Sequence, residues 1–161
     1  MGRLGRAIGI LALSLAAASC TSGTYSMNWL ADCVEDPGKH LRGINWVEAE
    51  KIDVRIRNGE LAPMTLRLAQ GKAYIIRIQN RDDGSLRLLG DEFFSAIVVG
   101  KSSVDEAESK ESCISSVVIA PEKTVEIEFV AVRDGRHPIE VRSLFNPPLL
   151  PGVGYGVVTI R

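Results

Sequence analysis

The chemistry open to this chain depends first on its few thiol and imidazole side chains. The sequence contains three cysteines, Cys20, Cys33 and Cys113, and two histidines, His40 and His137. A thiol can carry a lipid, form a disulfide or bind a soft metal as a thiolate, and an imidazole can bind a metal or move a proton. No serine has a plausible histidine partner and orienting acid. The sequence therefore predicts no catalytic residues and no enzymatic activity.

Residues 1–19 have the parts of a secretory signal: two arginines, then an apolar stretch at 7–18, which is shorter than the roughly 20 residues that a membrane-spanning helix needs. The following Ala17-Ala18-Ser19-Cys20 resembles the lipobox of bacterial lipoproteins, although that motif usually carries Leu where Ala17 stands. The resemblance implies cleavage before Cys20, acylation of its thiol by palmitate-like chains and, because Thr21 is not Asp, transport to the outer membrane. The alternative is an ordinary signal cut near Ala18, which leaves a soluble periplasmic protein.

Lipidation of Cys20 would leave Cys33 and Cys113. In an oxidising periplasm, two remaining cysteines favour one disulfide. It would close a loop of about 80 residues, for which the loop-entropy model gives about 4 kcal/mol of stabilisation. Two free thiols or a metal-binding pair are the alternatives, and the lack of a CxxC spacing argues against the metal pair.

Other motifs with a chemical appearance have simpler interpretations. His40 lies in a charged stretch typical of a surface, and His137 precedes a proline at the start of a strand. Asp82-Asp83-Gly84 is more typical of a turn than of a calcium site, because further oxygen ligands are not evident. The glycines of 152–156 are not followed by a helix, which argues against a nucleotide-binding loop. The sequence therefore predicts neither a metal nor another cofactor.

Composition excludes some partners. Of 161 residues, 45% are hydrophobic, 6% are aromatic and the net charge is −1. This length allows one domain with a sizeable core. Without a basic run to neutralise phosphates or aromatic side chains to stack on bases, we expect no binding to nucleic acid.

Alternating apolar and polar residues predict the strands on which any functional site would be built. In 124–132, Val125, Ile127 and Phe129 share one face and Glu126 and Glu128 the other. We expect Asp134-Gly135 to join this strand to the next as a hairpin. Further strands are predicted at 52–56, 64–68, 74–78, 86–89 and 155–160, with turns at Asn58-Gly59 and Gln70-Gly71. Residues 93–99 are interpreted as one turn of helix followed by a strand. Seven to eight short strands without βαβ alternation predict an all-β, Greek-key β-sandwich.

Two segments lack the alternating pattern of a strand. Residues 27–34 are interpreted as a brief helix or covering segment, with Trp29 and Leu30 packed on the sandwich and Asp36-Pro37-Gly38 as a turn. Residues 101–112 have no apolar stripe and are interpreted as a solvated excursion that ends at Cys113.

Four segments follow one another in a recognisable order. A strand that ends at Asn80 precedes Leu86-Arg87-Leu88, Ala120-Pro121 precedes 124–131, Gly135 to Val141 forms the next strand, and Gly152-Val153 leads into the last. This order resembles the cupredoxin family of small blue-copper domains over about 51–161. The resemblance implies a β-sandwich whose copper site lies at one end.

The copper ligands of that family are missing. By position, Leu86 stands where the first histidine would be, Val141 where the cysteine would be, Asn146 near the second histidine and Val153 where the axial methionine would be. A blue-copper site needs two imidazoles and a thiolate near a plane. We therefore expect a degenerate, metal-free domain; a copper-binding or electron-transfer protein with non-standard ligands is the alternative.

The proline-rich residues 143–151 would lie at that end. Leu144, Phe145, Leu149 and Leu150 are interpreted as an exposed apolar patch for docking a partner. In the alternative, Leu144 and Leu149 plug the vacated site as core, and the two arrangements can coexist. The resulting prediction is a signal peptide at 1–19, a lipidated tether at 20–26, an N-terminal extension at 27–50 and a cupredoxin-like domain at 51–161. The predicted function is that of a lipid-anchored binding or accessory module, facing the periplasm, that docks a periplasmic or outer-membrane protein through 143–151 or 101–112.

Overall fold

Two six-stranded sheets form where the sequence alternates apolar and polar residues. The computed structural model describes residues 23–25, 32–104, 107–144 and 154–161. The first sheet has the order β1 (Gly23–Tyr25), β9 (Ser116–Ile119), β6 (Leu86–Leu89), β11 (Gly135–Ser143), β12 (Gly154–Ile160) and β4 (Thr65–Leu68). The second has the order β3 (Glu60–Ala62), β2 (Glu50–Arg57), β5 (Ala73–Asn80), β10 (Thr124–Ala131), β7 (Ile97–Val104) and β8 (Ala107–Ser109). The predicted all-β sandwich is confirmed, and the described residues form twelve strands where seven to eight were expected. Three of them, β1, β3 and β8, are three-residue strands at sheet edges.

The core lies between the sheets and is filled by residues of β2 to β7 and β9 to β12, many of which alternate along their strands. Val125, Ile127 and Phe129 of β10 are buried, as the alternation predicted. The Phe129 ring stacks on Tyr74 with centroids 5.7 Å apart and meets Phe93 edge-on at 5.9 Å. The Tyr74 hydroxyl also accepts a hydrogen bond from the Ala69 amide at 2.7 Å, so this large side chain buries no unpaired oxygen.

The predicted turn at Asn58-Gly59 is confirmed as a hairpin between β2 and β3, which pair antiparallel. Both residues have positive φ, 53° and 73°, as the two-residue turn favoured by strand twist requires.

Two strand pairs are parallel, β2 with β5 and β12 with β4. The predicted strand at 64–68 begins one residue late, because Met64 lies outside β4 and is exposed.

The expected hairpin around Asp134-Gly135 is wrong. β10 pairs with β5 and β7, whereas β11 pairs with β12 and β6 in the other sheet. The chain crosses between sheets here because the amides of Val132 and Arg133 both donate to the carbonyl oxygen of Ala96, at 2.9 Å each. Alternation predicts which face of a strand is buried, but it does not identify the neighbouring strand.

The interpretation of 101–112 as a solvated excursion is also wrong. Residues up to 104 continue β7, and β8 returns beside it as an edge strand. Ser102 and Val104 are buried on the inner face, so alternation extends into this polar segment. Lys101 Nζ lies 2.5 Å from Glu108 Oε1 across the two strands. The segment is polar because it forms a sheet edge, where charged side chains oppose further pairing.

The extension before β2 packs on the second sheet. Helix α1 (Pro37–Leu41) occupies the region expected to be a turn, and a short 3-10 turn follows at Trp46–Glu48. The register of β7 on β10 leaves Gly100 as a bulge, and a Cβ there would lie 2.7 Å from Trp46 Cζ2. The indole therefore packs directly on backbone that only glycine leaves open.

The short segments outside the sheets agree with the prediction in part. A helical turn before the strand at 93–99 was anticipated, and α2 (Asp91–Ser95) is that turn. Residues 32–34 are not helical, and 27–31, with Trp29 and Leu30, lie outside the described residues. Across the described ranges, no helix combines the length and apolar character that crossing a membrane requires.

Candidate functional site

One end of the sandwich is organised around the buried side chain of Asn80. Asn80 Nδ2 donates to the carbonyl oxygens of Gly84 at 2.8 Å and of Ile119 and Ala120 at 3.1 Å each. Its Oδ1 accepts from the Asp82 amide at 2.9 Å. This single residue, 0% exposed, joins the end of β5 to its own loop and to the end of β9. These hydrogen bonds satisfy the side-chain amide of Asn80, whose burial without partners would cost free energy.

The Asp82 carboxylate continues this network to the β2–β3 turn. Its Oδ1 and Oδ2 accept from the amides of Asn58 at 2.5 Å and Gly59 at 2.8 Å. The interpretation of Asp82-Asp83-Gly84 as a turn is therefore consistent with the geometry, because one of the two carboxylates holds backbone. Sequence reasoning missed both roles, and the only signal was an asparagine at the end of an apolar strand.

The start of β12 rests against the same turn. A Cβ on Gly154 would overlap the carbonyl oxygen of Gly59, so only glycine allows this approach. A cleft of about 270 Å³ lies beside this contact, between the turn, residues 82–84, Leu86 and Ser143. We call this region the loop end. It extends from the Asn58-Gly59 turn to the last residues of β11 and the first residues of β12.

The two predicted copper positions within the described residues are aliphatic and buried at the loop end. Leu86 is 4% exposed and Val141 is 0% exposed. They lie on paired strands, with Ser143 opposite Leu86 and Val141 opposite Leu88. Asn146 and Val153 lie outside the described residues, so their assignment stays a prediction.

The remaining donors do not fit a blue-copper site. Cys33 and Cys113 form a disulfide with Cα atoms 5.9 Å apart, which removes both thiolates and confirms the predicted pairing. His137 is four residues before Val141 on β11, about 13 Å away along a strand. Among the described residues, no three His, Cys, Asp or Glu side chains are grouped to hold a metal. We therefore derive no chemistry through copper.

Apolar side chains are exposed around the segment 145–153. Leu144 is 37% exposed and its amide donates to the carbonyl oxygen of Ser85 at 2.9 Å. Tyr155, at the start of β12, is 61% exposed, and Met64 is 62% exposed. The Met64 carbonyl accepts from the Val157 amide at 2.8 Å, which places this side chain beside β12. The predicted docking residues Phe145, Leu149 and Leu150 lie outside the described residues.

Three charged groups with shifted pKa values, Glu128, Lys101 and Glu108, lie on the second sheet. A fourth, Arg142, lies on β11 near the loop end, and its hydrogen bond to Glu140 raises its pKa. Burial raises the pKa of Glu128, and the nearby Lys101 opposes this rise. The hydrogen bond between Lys101 and Glu108 raises the pKa of the lysine and lowers that of the glutamate. The positive charge of Lys101 thus offsets the negative charges of Glu108 and Glu128, as expected for a solvated sheet face.

Comparison with solved structures identifies the fold. A multi-copper oxidase from Pseudomonas thermotolerans matches with a TM-score of 0.53 and 11% identity, over 73% of this chain and 31% of that chain. An auracyanin from the photosynthetic bacterium Roseiflexus castenholzii matches with a TM-score of 0.46 and 14% identity, over 70% and 98% of the two chains. An amicyanin in its reduced Cu(I) form matches with a TM-score of 0.42 and 10% identity, over 69% and 82%.

These likenesses are to the fold, since the identities are far below the level that shows shared function. The chain spans about a third of the length of the oxidase that it resembles. No family model and no curated protein sequence matches it. The fold is cupredoxin-like, as the order of sequence elements implied.

Proposed function

We propose that this cupredoxin-like domain is a binding or accessory module of the bacterial cell envelope, held by a lipid at Cys20, that docks a periplasmic or outer-membrane protein at its loop end. The role is non-enzymatic. The observation that supports it is that aliphatic side chains fill the interior at the loop end while apolar side chains are exposed around it.

Two features of the loop end favour protein docking over small-molecule chemistry. Leu86 and Val141 occupy the interior with hydrocarbon and offer no donor atoms to a ligand. Tyr155 on β12, Leu144 directly after β11 and Met64 directly before β4 instead expose apolar surface, and burial of such surface by a partner is favourable. The hydrogen bonds of Asn80 and Asp82 fix the turn and loop beneath, so this surface is presented by a rigid base.

The cellular address is supported by the chain's cysteines. A disulfide between Cys33 and Cys113 is typical of a protein matured in an oxidising compartment such as the periplasm. Cys20 follows an apolar stretch and small residues, in a sequence that resembles a lipobox. An acyl anchor would hold the domain at the membrane, and more than one chain makes that attachment firm.

Docking is tested by site-specific photo-crosslinking of the full chain in a bacterial envelope. A crosslinker is placed at Tyr155, at Met64 and, as the control, at Val47, which is exposed on the 3-10 turn of the extension. We expect one and the same envelope protein to be linked from the first two positions and not from the third. That product should disappear when Leu144→Asp adds a charge to the surface. Equal crosslinking from Val47, or no product from the loop end, contradicts docking there.

The lipid is tested separately. We expect labelled palmitate to enter the full chain and Cys20→Ala to abolish the label. If the wild-type chain takes no label and is recovered in the soluble periplasmic fraction, the anchor is wrong and the ordinary secretory signal is correct.

The copper-binding alternative is favoured by one observation: His137 Nε2 is buried and has no hydrogen-bond partner within the described ranges. A metal could satisfy this atom, although no second donor is grouped with it among the described residues. One copper per chain, bound more tightly than about micromolar and lost in His137→Leu, would place this alternative first.

A further inference from the structure

A groove on the outer face of the first sheet collects three arginines. It has a volume of about 380 Å³ and lies along β11, β12 and the edge strand β4. Arg67 comes from β4, Arg136 from β11, and Arg161 follows directly after β12. The groove lies on the side of the sheet away from the core and is distinct from the loop end.

Strand register explains why these arginines meet. Thr159 of β12 is paired with Arg67 on one side and with Arg136 on the other. Paired residues project to the same face, and neighbouring strands lie about 4.8 Å apart, so the two arginine Cα atoms are about 10 Å apart with Thr159 between them. Arg161 is fixed close by, because its amide donates to the Leu68 carbonyl at 3.0 Å.

Among the described residues no acid lines this groove, although Asp134 lies two residues before Arg136 and directly precedes the Gly135–Ile160 pair beside Arg161. Within the part of the chain that the structure describes, Arg67, Arg136 and Arg161 form no ion pair. Glu140, the acid on this face of β11, is already paired with Arg142, with Nε and Oε1 2.6 Å apart. Holding like charges together costs free energy, and a bound anion would remove that cost.

The lining matches one class of ligand. Guanidinium groups present paired donors in a fork that suits phosphate and carboxylate oxygens, and threonine hydroxyls at Thr65 and Thr159 add further donors. Three cations match a phosphate monoester, which carries up to two charges, better than a single carboxylate. Val157, which is half-buried, supplies apolar surface that a phosphate alone would leave uncovered. We propose that this groove binds the phosphate group of an organic phosphate monoester, either free or as a lipid headgroup.

The test measures binding of glycerol 3-phosphate to the purified domain by calorimetry. Arg67→Gln and Arg136→Gln should each weaken binding about ten-fold, as expected when one charge-assisted hydrogen-bond pair is lost. Arg136→Lys should recover only part of this loss, because an ammonium lacks the fork. Arg87→Gln is the matched control, since Arg87 is exposed on the same sheet face outside the groove, and it should leave binding unchanged.

Two further probes identify the source of the phosphate. Flotation with phosphatidylcholine vesicles, with and without phosphatidic acid, tests a headgroup. Binding to phosphatidic acid vesicles that requires Arg67 and Arg136 supports the lipid, and binding to glycerol 3-phosphate alone supports a free metabolite. The proposal is overturned if neither probe binds, if succinate binds as well as the phosphate, or if the Arg67 and Arg136 variants bind like the wild type. Because all substituted arginines are exposed, unchanged thermal midpoints will show that the variants are folded.

Discussion

Asn80 offers the sharpest test of how the loop end is built. Its amide nitrogen is a donor to three carbonyl oxygens, on Gly84, Ile119 and Ala120, and its oxygen accepts from Asp82. Asn80→Ala removes all four contacts from a residue that is fully buried. Gly84 and Asp82 are partly exposed and can turn to water, whereas Ile119 and Ala120 are buried.

The expected loss follows from these contacts. Ala120 keeps a second partner, because its carbonyl oxygen also accepts from the Lys123 amide at 3.2 Å. A net hydrogen bond is worth about 1 kcal/mol, and a buried group left unpaired costs about 1–3 kcal/mol. We therefore expect Asn80→Ala to lower the free energy of unfolding by about 3 kcal/mol, measured by urea denaturation.

The variant Asn80→Asp separates hydrogen-bond donation from shape. It keeps the size of the side chain but directs a carboxylate at three carbonyl oxygens, so it should destabilise at least as much as alanine at pH 7 and recover partly in acid. Asn45→Asp is the control, because the Asn45 side chain acts only as an acceptor, from the Val47 amide at 3.2 Å. If Asn80→Asp is as stable as the wild type at pH 7, the donor role of Asn80 is wrong.

Three further predictions use the same measurement. Gly154→Ala should cost about 2 kcal/mol or more, because the new methyl group overlaps the carbonyl of the β2–β3 turn; an unchanged midpoint would contradict this contact. Replacing Cys33 and Cys113 by serine should cost about 4 kcal/mol for a loop of 80 residues, and a loss below about 1 kcal/mol would show that the loop-entropy estimate does not apply. Glu128→Gln should stabilise the fold at pH 7, because burial raises the pKa of Glu128 and makes its ionisation unfavourable in the folded state. This advantage should diminish as the pH falls through the raised folded-state pKa and be absent below the unfolded-state value of about 4.3. The matched Glu108→Gln should show the opposite sign, since the hydrogen bond from Lys101 lowers the pKa of Glu108. The stability that Glu108 contributes is present above the unfolded-state pKa of about 4.3 and is lost as the pH falls through the lowered folded-state pKa. The same sign in both variants would refute the assignment.

Local patterns predicted the strands well because they depend on neighbours in sequence. Alternation in β10 placed Val125, Ile127 and Phe129 in the core, and Asn58-Gly59 formed the expected turn. The predicted disulfide is present as well. The strand and the turn rest on residue types whose local preference does not depend on the rest of the fold, whereas the disulfide was predicted from the number of cysteines and an oxidising compartment.

Pairing between distant strands could not be predicted in the same way. The sequence does not show that β10 and β11 belong to different sheets, because hydrogen bonds to Ala96 decide where the chain crosses. It likewise does not show that Arg67 and Arg136 flank Thr159, since this depends on the register of three strands. The candidate surfaces of this protein arise from such long-range register, which is why the sequence identified only the apolar one.

The position of β12 has a consequence for how the chain folds. β12 lies inside the first sheet, between β11 and β4, and its pairing with β4 joins Thr65 to Val157. During synthesis or export, β4 must therefore wait for about 90 further residues before it can pair. Until then its backbone donors and acceptors, and the apolar side chains of Leu66 and Leu68, remain open to other chains. The slow step in forming this sandwich is thus expected to be insertion of β12, and an incomplete chain should be prone to aggregate.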